Sequence, residues 1–142
     1  MYLLDTNIVS ELRKPKPHGG VVAWLNEQSD ASLFICALTI GEIQIGIERT
    51  RQQDPAKAKE IEAWLVQVMR TGNIIAVDAE TYRLWAKLLT GQSDTVYEDA
   101  LIAACAARHG LTVVTRNVKH FRLFDVPVLN PFDRTSPPPT AR

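Results

Sequence analysis

The sequence lacks any apolar stretch long enough to cross a bilayer, and it lacks an excess of charge of either sign. No run approaches the ~18 apolar residues of a membrane span, and 16 basic side chains balance 16 acidic ones. We therefore expect no membrane segment, and any attraction to nucleic acid must be local rather than global. Because no leader-like segment precedes the first apolar run, we also expect a cytoplasmic protein.

Cysteine and histidine are scarce as well. The two cysteines, Cys36 and Cys105, lie far apart within apolar runs, which is typical of reduced core residues. The three histidines, His18, His109 and His120, show no ligand spacing, which argues against a zinc site. The first apolar run is not followed by a glycine-rich loop, which argues against dinucleotide-binding and P-loop classes.

Short apolar runs alternate with segments of helical periodicity along the 142 residues. The predicted strands are 2–4, 33–36, 74–77, 112–115 and 126–129, and the predicted helices are 7–12, 21–27, 39–49, 55–71, 79–89 and 98–109. This alternation predicts an α/β fold, a three-layer α/β/α sandwich with a central, mostly parallel sheet. We expect one domain over residues 1–132, followed by a disordered tail over 133–142, where three consecutive prolines stand.

Acidic residues fall at places that a parallel sheet would bring together. Asp5 follows the first strand, and Glu42 stands three residues after Thr39, in the expected first turn of the next helix. Asp99 lies in the first turn of the helix before the fourth strand, and Asn117 comes two residues after that strand. Because ligands of open α/β sheets bind at the carboxyl ends of the strands, these side chains predict one polar crevice.

A hard divalent cation suits such a set of oxygens, since Mg²⁺ prefers oxygen ligands at ~2.1 Å. A cation would also remove the repulsion among the acids. Structural alternatives stay open for each residue. Asp5 could cap the first helix, Thr39 and Glu42 could form a capping box, Asp99 could favour a helix dipole, and Asn117 could serve a turn.

Basic residues gather near the same predicted end of the sheet. They are candidates for binding the phosphates of a nucleic-acid backbone, although each is also compatible with a solvated loop. They are Arg13, Lys14, Lys16, Arg116, Lys119, His120 and Arg122.

Four motifs stand in order along the chain. They are Leu3-Leu4-Asp5-Thr6-Asn7 with Ser10-Glu11-Leu12, Thr39-Ile40-Gly41-Glu42, Glu98-Asp99-Ala100-Leu101-Ile102-Ala103-Ala104, and Thr115-Arg116-Asn117-Val118-Lys119-His120-Phe121. Together they resemble the motifs of PIN-domain proteins, and more closely those of the VapC/FitB-type ribonuclease toxins of bacterial toxin–antitoxin pairs. The resemblance runs from residue 1 to about residue 132.

The resemblance implies an endoribonuclease that depends on Mg²⁺ or Mn²⁺. It implies that Asp5, Glu42 and Asp99 hold the metal, and that Asn117 takes a fourth position, often Asp in the family, to which it brings no charge. Thr6 and Thr115 would support the ligands from behind. A metal-activated water would then attack the RNA phosphodiester. The resemblance also implies a homodimer and a small cognate antitoxin as partner.

Two other classes compete with the nuclease hypothesis. A receiver-like phosphotransfer domain could use Asp5, Asp78, Thr115 and Lys119, but it would leave two of the acids without a role. A phosphatase of the haloacid-dehalogenase type would need a second aspartate where Asn7 stands. A PIN-like protein that only binds a partner is the remaining alternative.

Overall fold

The computed structural model describes residues 1–133, in which five short strands alternate with seven helices. The strands are β1 (Tyr2–Leu4), β2 (Leu33–Cys36), β3 (Asn73–Ile75), β4 (Thr112–Val114) and β5 (Val128–Leu129). The helices are α1 (Thr6–Glu11), α2 (Gly19–Asn26), α3 (Ala37–Arg51), α4 (Pro55–Thr71), α5 (Ala79–Leu89), α6 (Tyr97–His109) and α7 (Val118–Arg122). Apart from Asp133, the predicted tail lies outside the described residues.

The sheet has the order β3-β2-β1-β4-β5, and all of its pairings are parallel. The chain starts in the central strand, adds β2 and β3 on one side, and then crosses to add β4 and β5 on the other. The strand order therefore reverses between β1 and β4, the position where open α/β sheets form a ligand-binding crevice. The segments that leave these two strands carry Asp5 and Thr115.

Two apolar clusters cover the two faces of the sheet, because successive strand side chains point in opposite directions. Leu3 and Val113 pack on one face with α6, in which residues 100–106 are all buried. Leu4 and Val114 pack on the other face with residues of α1 to α4. The prediction of three layers is confirmed, and each layer of helices has its own core.

The cysteines and the helices agree with two further expectations. Cys36 and Cys105 are both buried and unbridged, as expected for reduced core residues. Within residues 1–133, no helix combines the length and the apolar character that a membrane crossing requires.

Several predicted boundaries are wrong by a few residues, and one element was not predicted. β3 ends at Ile75 instead of residue 77, because its pairing with β2 ends there, at Cys36. α3 begins at Ala37, two residues before Thr39. α7 had no prediction because it is short and polar. Its buried Phe121 fixes it against the core.

Candidate active site

Asp5 leaves the central strand and begins α1, and its carboxylate is buried and held from several sides. Its backbone N–H donates to Val114 O at 2.9 Å, which continues the β1–β4 ladder. Its Oδ1 accepts from the N–H of Thr6 at 2.8 Å. Its Oδ2 accepts from Thr115 Oγ1 at 2.8 Å and from Asn7 Nδ2 at 3.2 Å. The predicted helix cap therefore exists, and it also fixes the carboxylate at the sheet edge.

Glu42 reaches across from α3 to α1. Its Oε1 accepts from Thr6 Oγ1 at 2.6 Å, and that hydroxyl lies 3.0 Å from Thr39 Oγ1. The capping-box interpretation is wrong, because α3 begins at Ala37 with Cys36 as its N-cap. Glu42 is consequently in the second turn, too far along the helix to bond back to the cap.

Asp99 lies in the first turn of α6, as predicted, and is mostly buried, with 16% of its side chain exposed. Its Oδ2 lies 2.6 Å from Nδ1 of His120, a residue of α7. The sequence predicts His120 as a candidate phosphate ligand, and this residue lines the basic cleft described below. The structure also brings its ring against Asp99, because the unpredicted helix α7 turns it toward α6.

The pKa of each of these three carboxyl groups is raised, mainly by burial. The charge of Asp99 further raises the pKa of Asp5, and the charges of Asp5, Glu98 and Asp99 further raise the pKa of Glu42. Hydrogen bonds from Thr115, from Thr6 and from His120 oppose the shifts at Asp5, Glu42 and Asp99, respectively. Asp99 therefore makes ionisation of Asp5 harder, and both of these acids make ionisation of Glu42 harder.

Thr115 is fully buried and connects the ends of β1 and β4. Besides donating to Asp5, its Oγ1 accepts from the N–H of Asn117 at 2.9 Å and from Asn7 Nδ2 at 3.4 Å. Asn7 also accepts from the N–H of Arg116 at 3.2 Å, so its amide joins the two strand ends. Sequence analysis missed this role of Asn7, although an amide two residues after Asp5 was the available signal.

The acids are close enough to interact but are not gathered into a ready-made metal cage. Among residues 1–133, no group of three His, Cys, Asp or Glu side chains has metal-binding geometry. Each acid is held by a separate hydrogen-bond partner. Oε2 of Glu42 and Oδ1 of Asp99 accept no hydrogen bond from the described part of the chain. Asn117 is exposed at the N-terminus of α7, and its side chain makes no capping bond.

The predicted basic residues separate into different places. An open cleft of about 640 Å³ is lined by Arg116, Asn117, Val118, Lys119, His120, Arg122, Val128, Asn130 and Asp133. Arg13 instead lines a smaller cavity of about 230 Å³ that contains Thr6 and Glu42. Lys14 donates to Glu11 at 2.9 Å, and Lys16 is exposed in the α1–α2 loop. Four of the seven basic candidates thus meet at one cleft.

Asp78, the second acid that a receiver-like phosphotransfer domain would use, has a structural role. Asp78 caps α5, where its Oδ1 accepts from the N–H and the hydroxyl of Thr81 at 2.9 and 2.7 Å. Its Oδ2 accepts from Arg108 at 2.9 Å. Both oxygens of Asp78 therefore serve helix capping and an ion pair.

The family model described as "PIN domain" matches residues 2–126, most of the chain. This chain belongs to the PIN-domain family. Toxin FitB of Neisseria gonorrhoeae is 30% identical over 138 residues, covering 93% of this chain and 99% of the relative. VapC ribonuclease Y4jK of Sinorhizobium fredii is 30% identical over 145 residues, covering 94% and 99%. The predicted resemblance to VapC/FitB-type proteins is confirmed.

The fold agrees with that assignment. The crystal structure of FitAcB from Neisseria gonorrhoeae contains a chain similar to this one, with a TM-score of 0.81 and 29% identity. The match covers 94% of this chain and 100% of that chain. The predicted PIN-like α/β fold is therefore confirmed over almost its whole length.

Proposed function

We propose that this PIN-domain protein is the toxin of a toxin–antitoxin pair and a metal-dependent endoribonuclease. The observation that carries the proposal is the electrostatic interaction of the predicted crevice acids, which come from three different elements. The charge of Asp99 raises the pKa of Asp5, and the charges of both raise the pKa of Glu42. Relatives that match nearly end to end are named as a toxin and as a ribonuclease. Partly or fully buried acids with raised pKa values are typical of functional sites rather than of a stabilising surface.

The residues of the crevice suit Mg²⁺ or Mn²⁺. Their donors are carboxylate oxygens, which hard divalent cations prefer. Among residues 1–133, the one ion-pair partner of these acids is His120, and Oε2 of Glu42 and Oδ1 of Asp99 accept no hydrogen bond there. Asp5, Glu42 and Asp99 would hold the ion, and the amide of Asn117 is an outer candidate. A bound ion supplies charge neutralisation and a water of lowered pKa for attack on a phosphodiester.

The protein's own groups orient this site. Thr115 and Asn7 fix Asp5, the hydroxyl of Thr6 fixes Glu42, and His120 fixes Asp99. We assign Glu42 as the group that takes the proton of the attacking water. Burial and neighbouring charges raise its pKa, and a carboxylate of higher pKa is the stronger base. The cleft that begins at Asn117 would bind the RNA phosphates next to the crevice.

The proposal includes two protein partners, a second copy of the chain and a small antitoxin. Exposed apolar side chains on α3 and α4, Ile45 and Met69, give a surface that could be covered by either. Light scattering of the purified chain tests the homodimer, and a strict monomer at micromolar concentration would contradict it. Co-expression with a small protein encoded next to this gene tests the antitoxin. The expected result is co-purification and loss of RNA cleavage.

Substitution of Asp99 tests the enzymatic assignment. We expect Asp99→Asn to lower Mg²⁺- or Mn²⁺-dependent RNA cleavage at least ~100-fold, since it removes a ligand charge without changing the shape. The matched control is Glu98→Gln, which removes a neighbouring charge from the same helical turn and should retain activity within about threefold. Equal melting temperatures would show that both variants fold. Full activity of Asp99→Asn would refute the assignment.

Metal titration separates the nuclease from a PIN-like protein that only binds partners. We expect Mn²⁺ binding to the wild-type chain in calorimetry, with a weaker signal for Asp99→Asn. A wild-type chain that binds no Mn²⁺ and cleaves no RNA would favour the binding-only alternative.

A further inference from the structure

Arg116 rests on the face of an aromatic ring. Its guanidinium carbon lies 4.5 Å from the centroid of Phe132, within the range of cation–π attraction. Its backbone N–H is held by Asn7, next to the carboxylate of Asp5. The side chain has no ion pair with any acid in residues 1–133, so the edge donors of the guanidinium are not taken by a carboxylate.

Phe132 is itself held in place. Its backbone N–H donates to Asn130 Oδ1 at 2.9 Å, and its ring packs against the apolar cluster that includes Trp24. His18 contacts the ring at a centroid distance of 5.0 Å. The N–H of His18 donates to the buried carboxylate of Glu11 at 2.8 Å. Phe132 is therefore a fixed support for the guanidinium of Arg116.

The cleft that Arg116 lines is linked to the candidate acids by hydrogen bonds, one of which joins its lining residue His120 to Asp99. Asn117, beside Arg116 in sequence, lines the same cleft and is bonded through its N–H to Thr115, which donates to Asp5. The other basic lining residues are Lys119, Arg122 and His120, and the described acid of the lining is Asp133. A guanidinium fixed on one face and open at its edge suits bidentate binding of a phosphate.

We infer that Phe132 is a positioning residue that holds Arg116 as a clamp for one RNA phosphate adjacent to the scissile bond. The inference rests on the proposed function and identifies residues with which that site binds its substrate. Neither sequence pattern nor spacing indicated Phe132, because the ring stands 16 positions after the arginine. The ring acts through Arg116 and does not need to contact the RNA.

The test measures RNA binding in the absence of cleavage. All variants carry Asp99→Asn, and the probe is a fluorescently labelled single-stranded RNA followed by anisotropy at several salt concentrations. Arg116→Ala should weaken binding about tenfold and reduce the magnitude of the salt slope by about 0.7, the value for one phosphate contact of a single strand. Arg83→Ala is the matched control, because Arg83 is exposed on α5 and paired with Glu80. It should bind as the parent does.

Phe132→Leu keeps apolar volume but removes the ring, and it should weaken binding about threefold. Phe132→Tyr keeps the ring and should restore parental affinity. The double variant Arg116→Ala/Phe132→Leu should bind no more weakly than Arg116→Ala alone, because residues that act as one unit are not additive. A merely structural role of Phe132 would instead lower affinity in both arginine backgrounds.

The outcomes distinguish failure of the Arg116–Phe132 clamp from failure of the proposed ribonuclease function. Parental affinity and salt slope in Phe132→Leu, with RNA binding intact in the parent, would overturn the clamp alone. Additive losses in the double variant would also overturn it. A parent that binds no RNA would overturn both the clamp and the proposed ribonuclease function.

Discussion

Two glutamates six residues apart on α3 have opposite electrostatic environments. Glu48 accepts from Arg51 at 2.9 Å and from Gln44 at 2.6 Å, and these bonds hold the pKa of its carboxyl group below the usual value. Burial and the charges of neighbouring acids raise the pKa of Glu42 above the usual value. The helix is the same and the residue type is the same. The difference comes from their surroundings: Glu48 is exposed beside Gln44 and Arg51 of its own helix, whereas Glu42 is partly buried against other elements.

The contrast extends to the regions around them. On the α3–α4 hairpin, Arg51 bonds both Glu48 and Glu62, so the acids are neutralised by a cation of the chain. Among residues 1–133, the carboxylates of Glu42 and Asp5 are instead held by hydroxyl and amide groups, with no basic side chain as direct partner. Unbalanced charge of this kind destabilises a fold and is retained where a cation or substrate compensates it. The hairpin acids therefore serve stability, and the contrast supports the catalytic role proposed for the crevice acids.

The largest effect is expected on RNA cleavage, when one acid of each region is changed to its amide. Asp5→Asn should lower RNA cleavage at least ~100-fold, since the amide is close to the carboxylate in shape but supplies no charge to a metal. Glu48→Gln, a matched acid-to-amide change on the hairpin, should lower cleavage less than about twofold. Initial cleavage rates at saturating Mn²⁺ measure both. Comparable losses in the two variants would abolish the distinction between the regions.

Two buried threonines allow a second comparison, between a residue beside the proposed metal site and one remote from it. Thr115 and Thr81 are both fully buried, and the hydroxyl of each donates to an aspartate. Thr115→Val should weaken Mn²⁺ binding about 10- to 100-fold, the usual effect of losing a hydrogen bond to a metal ligand. Thr81→Val should cost about 1–3 kcal/mol of unfolding free energy with Mn²⁺ affinity unchanged. Calorimetry and urea unfolding check both, and weakened Mn²⁺ binding by Thr81→Val would contradict the assignment.

A smaller effect is expected on the thermal stability of the metal-free protein when Glu42 is changed. Glu42→Gln removes a partly buried charge that neighbouring acids repel, and it should raise the melting temperature by about 2 °C. The folded pKa of Glu42 is above its unfolded value, so its ionisation costs stability increasingly as pH rises above 4.5. The gain in Glu42→Gln should therefore grow from pH 4.5 toward neutrality. Thermal melts in EDTA measure it, and a lower melting temperature at pH 7 would disprove the repulsion.

The smallest effect is expected on the unfolding free energy, when Glu48 of the α3–α4 hairpin is changed. The folded pKa of Glu48 is below its unfolded value, so its stabilising contribution is present above pH 4.5 and is lost as pH falls through the folded pKa. Glu48→Gln should be slightly less stable than wild type at pH 7, and the gap should close below pH 4.5. Urea unfolding at the two pH values measures it. A stability difference that grows below pH 4.5 would contradict the lowered pKa of Glu48.

Local patterns predicted most of the fold because the signals are local. Alternating apolar runs identified the strands, and the order of strands and helices implied parallel pairing, which brings Asp5 and the start of α6 to one edge. The same reasoning failed for α7. Five residues with only Val118 and Phe121 apolar have no periodicity to detect, and burial of Phe121 supplies the stabilisation.

The sequence by itself therefore determined the layers and the parallel pairing of the strands, and it predicted Asp5, Glu42 and Asp99 near the carboxyl edge of the sheet. The tertiary structure decided which groups these acids meet. It brought Thr6 to Glu42, His120 to Asp99 and Phe132 to Arg116. The physical reason is that backbone ladders follow from local pattern, whereas side-chain partners on separate elements depend on how each helix packs against the sheet, which no short stretch of sequence encodes.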